Sequence, residues 1–162
     1  MGTCAGTACV PTLEAALNGV LAAVGTTVNT VLGCPDRKCE HANTSAAEAA
    51  AQDADVVILA LGLDGSLEGE GSDRMDIRLP GQQLQLAQAV VSANKPVVLL
   101  LFNGGTISIE ELKGLSNVAI VECFYPGATG WSAGEGGGGG GGEKKKKKKG
   151  GGEGGGGGDI FF

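Results

Sequence analysis

The chain has 162 residues, with 12 Lys plus Arg against 18 Asp plus Glu and a net charge of −6; it is long enough for one ordinary domain and too short for two substantial ones. The acidic balance excludes a general nucleic-acid partner, and no run of about 18 apolar residues is present to cross a membrane. The charge is uneven: Met1 to Ala133 carries 14 acids and 6 bases, whereas the stretch from Gly134 onward holds 16 of the 31 glycines and the lysine run Lys144 to Lys149.

Two parts follow, a body over residues 1–133 and a tail over 134–162. Between Gly134 and Gly158 every residue is Gly, Glu or Lys, which reads like a translated purine tract. Such a segment has almost no apolar surface to offset its ordering entropy and is expected to be a disordered coil. The first residues, MGTCAGTACV, lack the basic start and apolar run of a secretory signal. Either the chain is intracellular or its natural beginning is absent.

Along the body, apolar residues from Thr12 through Leu17, Val20, Leu21 and Val24 recur at helical spacing, and the β-branched run Thr26 to Leu32 ends at Gly33 as a strand would. Thr44 or Ser45 can cap an alanine-rich helix reaching about Gln52. Asp55 to Leu61 is then a strand apolar enough to be covered on both faces, closed by Gly62. After Pro80-Gly81 a helix places Leu84, Ala87, Val90 and Val91 on one side. Pro96 to Phe102 is the next strand, Ile109 to Leu115 a short helix, and Val118 to Phe124 a further strand before Tyr125-Pro126-Gly127. Strands starting near residues 27, 55, 97 and 118, each followed by a helical segment, predict an α/β fold with a mostly parallel sheet.

In such a sheet the loops at the carboxyl ends of the strands share one edge, where ligands bind. That edge would carry Gly62 to Leu79, Asn103 to Thr106, and Tyr125 to Trp131. The first of these loops, Gly62-Leu63-Asp64-Gly65-Ser66-Leu67-Glu68-Gly69-Glu70-Gly71-Ser72-Asp73-Arg74, concentrates four acids, an arginine and several glycines. Glu68 and Glu70 diverge if the loop is extended, so that one of them faces a given ligand. Different surroundings would separate their pKa values, as acid catalysis requires. The competing reading is a solvated acidic loop with Asp73 and Arg74 paired to neighbours. A dinucleotide site is the disfavoured rival, because the G-x-G-x-x-G spacing and a Walker lysine are missing and Asp64, Glu68 and Glu70 stand where a pyrophosphate needs bare amides. No cofactor is implied.

The five cysteines form no C-x-x-C knuckle and His41 is the only histidine, so no metal site is expected. His41 sits in a polar loop and reads as solvated, and Cys123 reads as a small buried apolar residue of the last strand. Asn43-Thr44-Ser45 is a glycosylation sequon that matters only in a secretory pathway.

The stretch ADVVILALGLDGSLEGEGSDRMDIRLPGQQLQLAQAV, then KPVVLLLFNGGTISI, then ECFYPGATG, resembles the second, α/β-sandwich domain of family 3 glycoside hydrolases, the β-glucosidase and β-xylosidase group. GTACVPTLEAAL and GCPDRKC resemble the approach to that domain in the branch with β-xylosidases and α-arabinofuranosidases. The likeness implies a three-layer sandwich, incomplete at its C-terminal end. It implies a retaining exo-acting β-glycosidase whose N-terminal barrel supplies the nucleophile, while this domain supplies the acid/base carboxylate to a glycoside or oligosaccharide substrate. Carried onto this chain, the acid/base position is Glu68, with Glu70 as fallback and Asp64, Glu70 and Arg74 contacting substrate. Asp73-Arg74 matches a pair read as a structural clamp. The resemblance also favours a Cys34–Cys39 disulfide over free thiols and an extracellular or secretory parent. Trp131 stands where the family has a further glycine; it reads equally as a sugar-stacking platform or an exposed leftover. A barrel usually takes about 250 residues, which 162 cannot accommodate, so the chain alone is expected to be inactive. Two other readings stay open: a non-catalytic carbohydrate-binding or interaction domain, and a gene-model fragment without an independent fold.

Overall fold

A computed structural model of the chain describes residues 17–19, 21, 25–36, 38–125 and a two-residue strand at 160–161. Three six- or five-residue strands carry the fold: β2 (Val57–Gly62), β3 (Val97–Phe102) and β4 (Val118–Glu122), preceded by a short β1 (Leu32–Cys34). Each strand of the three is an apolar run of the kind a covered parallel sheet requires. They pair in parallel in the order β2-β3-β4, with Val57 opposite Val97 and Val97 opposite Val118. The α/β class and the mostly parallel sheet are those the sequence implies. A second, antiparallel pairing joins β1 to β5 (Ile160–Phe161).

Two helices are described in full. Helix α1 (Thr44–Asp53) starts one residue earlier than its sequence suggests: Asn43, not Thr44 or Ser45, is the cap, its Oδ1 accepting from the Ala46 amide at 3.4 Å. The Asn43 N–H is already committed to Gly33 O at 2.7 Å, which holds that residue outside the helix. Helix α2 (Gln83–Ser92) follows Pro80-Gly81 as expected and ends with Asn94 at φ +57, a left-handed position asparagine tolerates. Ala47 and Ala51 of α1 and Leu86, Ala87 and Val90 of α2 pack with Leu59, Leu61, Leu99 and Leu101 in one cluster. The alternation of those strand residues places both helices on one face of the sheet. Leu59, Leu61, Leu86, Leu99, Leu101 and Leu112 are fully buried, each worth about 1.5–3 kcal/mol against exposure.

Three sequence expectations are corrected. The run Thr26 to Val31 forms no strand; β1 begins at Leu32, because Thr26, Thr27 and Asn29 are exposed and the run has no ladder partner among the described residues. Ile109 to Leu115 is a single turn rather than a helix: Leu112 and Lys113 donate to Ile109 O, and Gly114 at φ +82 closes it before helix can propagate. Cys123 lies past the end of β4 and is half-buried rather than buried; partial burial raises its thiol pKa. Cys34 and Cys39 are joined in a buried disulfide. His41 is exposed. Of the helix expected over Thr12 to Val24, residues 17–19 and 21 are described and helical; Pro126, Gly127, Trp131 and the tail up to Asp159 lie outside the described residues.

Candidate functional site

The site loop begins where β2 stops. Gly62 sits at φ +152, and a Cβ there would overlap the Phe102 carbonyl of β3, so no other residue fits. Leu63 adds one more bond to the sheet, its N–H donating to Phe102 O at 2.9 Å. Asp64 then reverses the chain: its Oδ1 accepts from the Ser66 amide at 2.9 Å and from Ser66 Oγ at 2.5 Å, while its carbonyl accepts from Leu67 and Glu68 amides. Asp64 is thus engaged in holding the turn.

The loop is not extended beyond this point. Gly69 and Ser72 exchange both backbone hydrogen bonds at 3.0 Å, which puts Glu70 and Gly71 at the tip of a tight reversal. Gly71, at φ +78, takes the central position that such a turn reserves for glycine. Glu68 and Glu70 differ in exposure, and they are separated by this reversal rather than by the alternation of an extended strand. Glu70 is exposed at the tip, and Glu68 folds back against the sheet edge.

Arg74 holds Glu68 there. Its Nε donates to Glu68 Oε2 at 2.6 Å, Nη1 to Arg78 O at 3.0 Å and Nη2 to Thr106 O at 2.6 Å. Only 11% of the arginine side chain is exposed, against 34% for Glu68. One guanidinium therefore ties the carboxylate to the loop after β3, which the clamp reading of Asp73-Arg74 anticipates for Arg74; Asp73 itself is exposed. That second loop is shaped to receive the carboxylate. A Cβ on Gly105 would overlap the Glu68 carboxylate, and one on Gly104 would overlap the ring of Tyr125. Asn103, buried at the end of β3, donates from Nδ2 to Gly105 O at 2.8 Å and so fixes the two glycines. The three loops predicted to share an edge do meet: Glu68 from the first, Gly104 and Gly105 from the second and Tyr125, half-exposed, from the third.

The sequence places the loop from Asn103 to Thr106 at this edge but does not mark what Asn103, Thr106 or Gln83 does individually. Thr106 contributes a carbonyl, which leaves no trace in residue identity. Gln83 was readable, being a polar residue in phase with Leu86, Ala87 and Val90 on an inward helix face. An open pocket of about 500 Å³ lies on the other side of Arg74, lined by Met75, Asp76, Pro80 and Leu84 among others; neither Glu68 nor Asp64 borders it.

The chain is thus an α/β domain with a parallel sheet, at whose edge an arginine-clamped glutamate lies against Gly105. The model of the glycosyl hydrolase family 3 C-terminal domain matches residues 1–134, and the chain belongs to that family. It is 41% identical over 104 residues to β-D-xylosidase 1 of Arabidopsis thaliana, covering 62% of this chain and 13% of the relative. β-Xylosidase/α-L-arabinofuranosidase 1 of Medicago sativa subsp. varia is 37% identical over 103 residues, with 62% and 13% covered. The chain therefore spans 13% of the length of either of these relatives. Among solved structures, a GH3 exo-β-xylosidase (XlnD) in complex with a xylobiose aziridine activity-based probe superposes with a TM-score of 0.64 at 34% identity, covering 76% of this chain and 16% of that one. The GH3 β-glucosidase of Bifidobacterium adolescentis gives 0.62 at 32% identity, covering 76% and 18%.

Proposed function

We propose that this chain is the acid/base-bearing part of a retaining β-glycosidase of β-xylosidase or β-glucosidase type, with Glu68 as the acid/base. The observation that carries the reading is the asymmetry of the two glutamates. Glu68 is seated on the Gly105 floor and fixed through Oε2, whereas Glu70 stands at an exposed turn tip. A proton donor must be held within hydrogen-bond reach of the departing oxygen, and a side chain on a two-residue tip has no such constraint.

Retaining hydrolysis requires two carboxyls about 5–5.5 Å apart. The nucleophile comes from the N-terminal domain of the intact enzyme, as the family resemblance implies. Glu68 closes over the glycosidic bond from this domain, with Oε1 as the oxygen left for the substrate. It donates its proton to the leaving oxygen as the glycosyl–enzyme bond forms. It then removes a proton from the water that hydrolyses that bond. Arg74 acts through Glu68 by fixing its rotamer and not by touching the sugar; Asp64 shapes the loop, and Glu70 reaches outward toward the leaving group.

The test is chemical rescue in a polypeptide that joins this domain to its barrel. Glu68→Ala should stall after glycosylation by an activated aryl glycoside, and added azide should restore turnover and yield a glycosyl azide of retained configuration. Azide needs no general base, so rescue with retention identifies the residue removed as the acid/base. No rescue, or an inverted azide, would exclude Glu68 from that role.

A further inference from the structure

Gln83, the first residue of α2, is fully buried, and both ends of its amide are spent on a single residue. Its Oε1 accepts from the Gly62 N–H at 2.9 Å, and its Nε2 donates to the Gly62 carbonyl at 2.8 Å. Leu63 N–H points to β3, so by strand alternation the N–H and C=O of Gly62 point the opposite way, to the edge of β2 that β3 does not cover. At that one residue a side-chain amide takes the place of a neighbouring strand. Gly62 is also the residue at which the chain leaves the sheet for the Asp64 turn and Glu68.

The neighbouring Gln82 works in the other direction. Its N–H donates to Cys39 O at 2.8 Å and its Oε1 accepts from the Ala42 N–H at 2.9 Å. The start of α2 is thereby anchored to the disulfide-closed loop on one side and to the root of the site loop on the other.

We propose that Gln83 is a positioning residue for Glu68: its paired bonds to Gly62 set the direction in which the carboxylate loop leaves β2, and so the place at which Glu68 meets Arg74. The catalytic consequence rests on the acid/base reading of Glu68, but the geometric claim does not. Leucine at 83 keeps the bulk and removes both bonds, leaving two buried backbone groups unpaired. Methionine removes both bonds as well, and its unbranched, adaptable side chain fills the space of glutamine.

The experiment is NMR on the full chain without sugar, in wild type, Gln83→Leu and Gln83→Met. It follows the Arg74 Nε–H resonance, which reports the bond to Glu68, and hydrogen exchange at the Leu67 and Glu68 amides against Leu99 and Leu101 of β3. In Gln83→Leu the Arg74 signal should shift to its solvent-exposed position, and exchange at Leu67 and Glu68 should rise at least about tenfold, with β3 changing less than about twofold. Gln83→Met should move the same signals in the same direction and carries the test where the leucine variant does not fold. An unmoved Arg74 signal in either folded variant, or a rise in exchange that is equal in the loop and β3, overturns the proposal. Because no substrate is used, an acid/base failure at Glu68 and a failure of this proposal are read separately.

Discussion

The Nε of Arg74 lies 2.6 Å from Oε2 of Glu68, and the same guanidinium reaches the Thr106 carbonyl in the next loop. A carboxylate six residues along a glycine-rich loop is in this way held to the edge of the sheet by a residue that is itself nearly buried.

Arg74→Lys should be costly despite the conserved charge, because one ammonium cannot meet three diverging acceptors. Loss of the charge-assisted bonds should lower stability by about 1–3 kcal/mol, read as a shift in the urea midpoint. A midpoint unchanged from wild type would mean that the loop is held by its own turns.

The two glycines that frame the site should respond differently to alanine. In Gly62→Ala the methyl meets the Phe102 carbonyl of a rigid strand at a strained φ, and a cost above about 3 kcal/mol is expected. In Gly105→Ala it meets the far end of a side chain, the Glu68 carboxylate, which can give way where a backbone carbonyl cannot, so stability should change by about 1 kcal/mol or less while the Arg74 Nε–H resonance moves. Thermal unfolding and NMR on the pair check this; equal destabilisation would contradict it.

The disulfide closes a short loop, with Cys34 and Cys39 five positions apart, so the entropy it removes from the unfolded chain is worth about 2 kcal/mol. Both sulfurs belong to the buried core. Unfolding in the presence of a strong reductant should show a loss of that size, and reduction of the folded chain should be slow. Fast reduction without loss of stability would contradict the buried arrangement.

Asp76 and Arg78 form an exposed ion pair. The side-chain hydrogen bond from Arg78 is the main cause that holds the Asp76 pKa at about 2, below its ordinary 3.8. A lowered folded pKa contributes stability that is present above pH 3.8 and is lost as pH falls toward 2. Asp76→Asn should flatten the stability curve in that window, with stability slightly below wild type near neutrality and equal to it at the acid end of the window. Because the pair is fully exposed the difference is small, and acid titration of both proteins by circular dichroism measures it.

Much of the fold was legible. Val57 to Leu61, Val97 to Phe102 and Val118 to Val121 are short apolar runs separated by segments of helical spacing, the pattern of a parallel sheet, and Pro80-Gly81 announces α2. Local pattern failed where tertiary partners decide. Thr26 to Val31 has strand composition but no partner among the described residues, and Ile109 to Leu115 has helical spacing but only one turn before Gly114. At the site, Glu68 and Arg74 were identifiable as residues, yet their contact was not, since it depends on the Gly69–Ser72 reversal and on a carbonyl at Thr106. Asn103 was invisible for a similar reason: its role is to bond a backbone oxygen two residues away.

The role of Glu68 is settled by how activity depends on the leaving group. In a polypeptide that joins this domain to the N-terminal barrel of the proposed enzyme, kcat/KM for Glu68→Gln and Glu70→Gln would be compared with wild type on a β-linked disaccharide and on an aryl glycoside with an acidic phenol. Glu68→Gln should lose about 10²–10⁴-fold on the disaccharide and far less on the aryl glycoside, which departs without a proton, while Glu70→Gln should lose little on either. Equal losses of Glu68→Gln on both substrates, or the selective loss appearing in Glu70→Gln, would contradict the assignment.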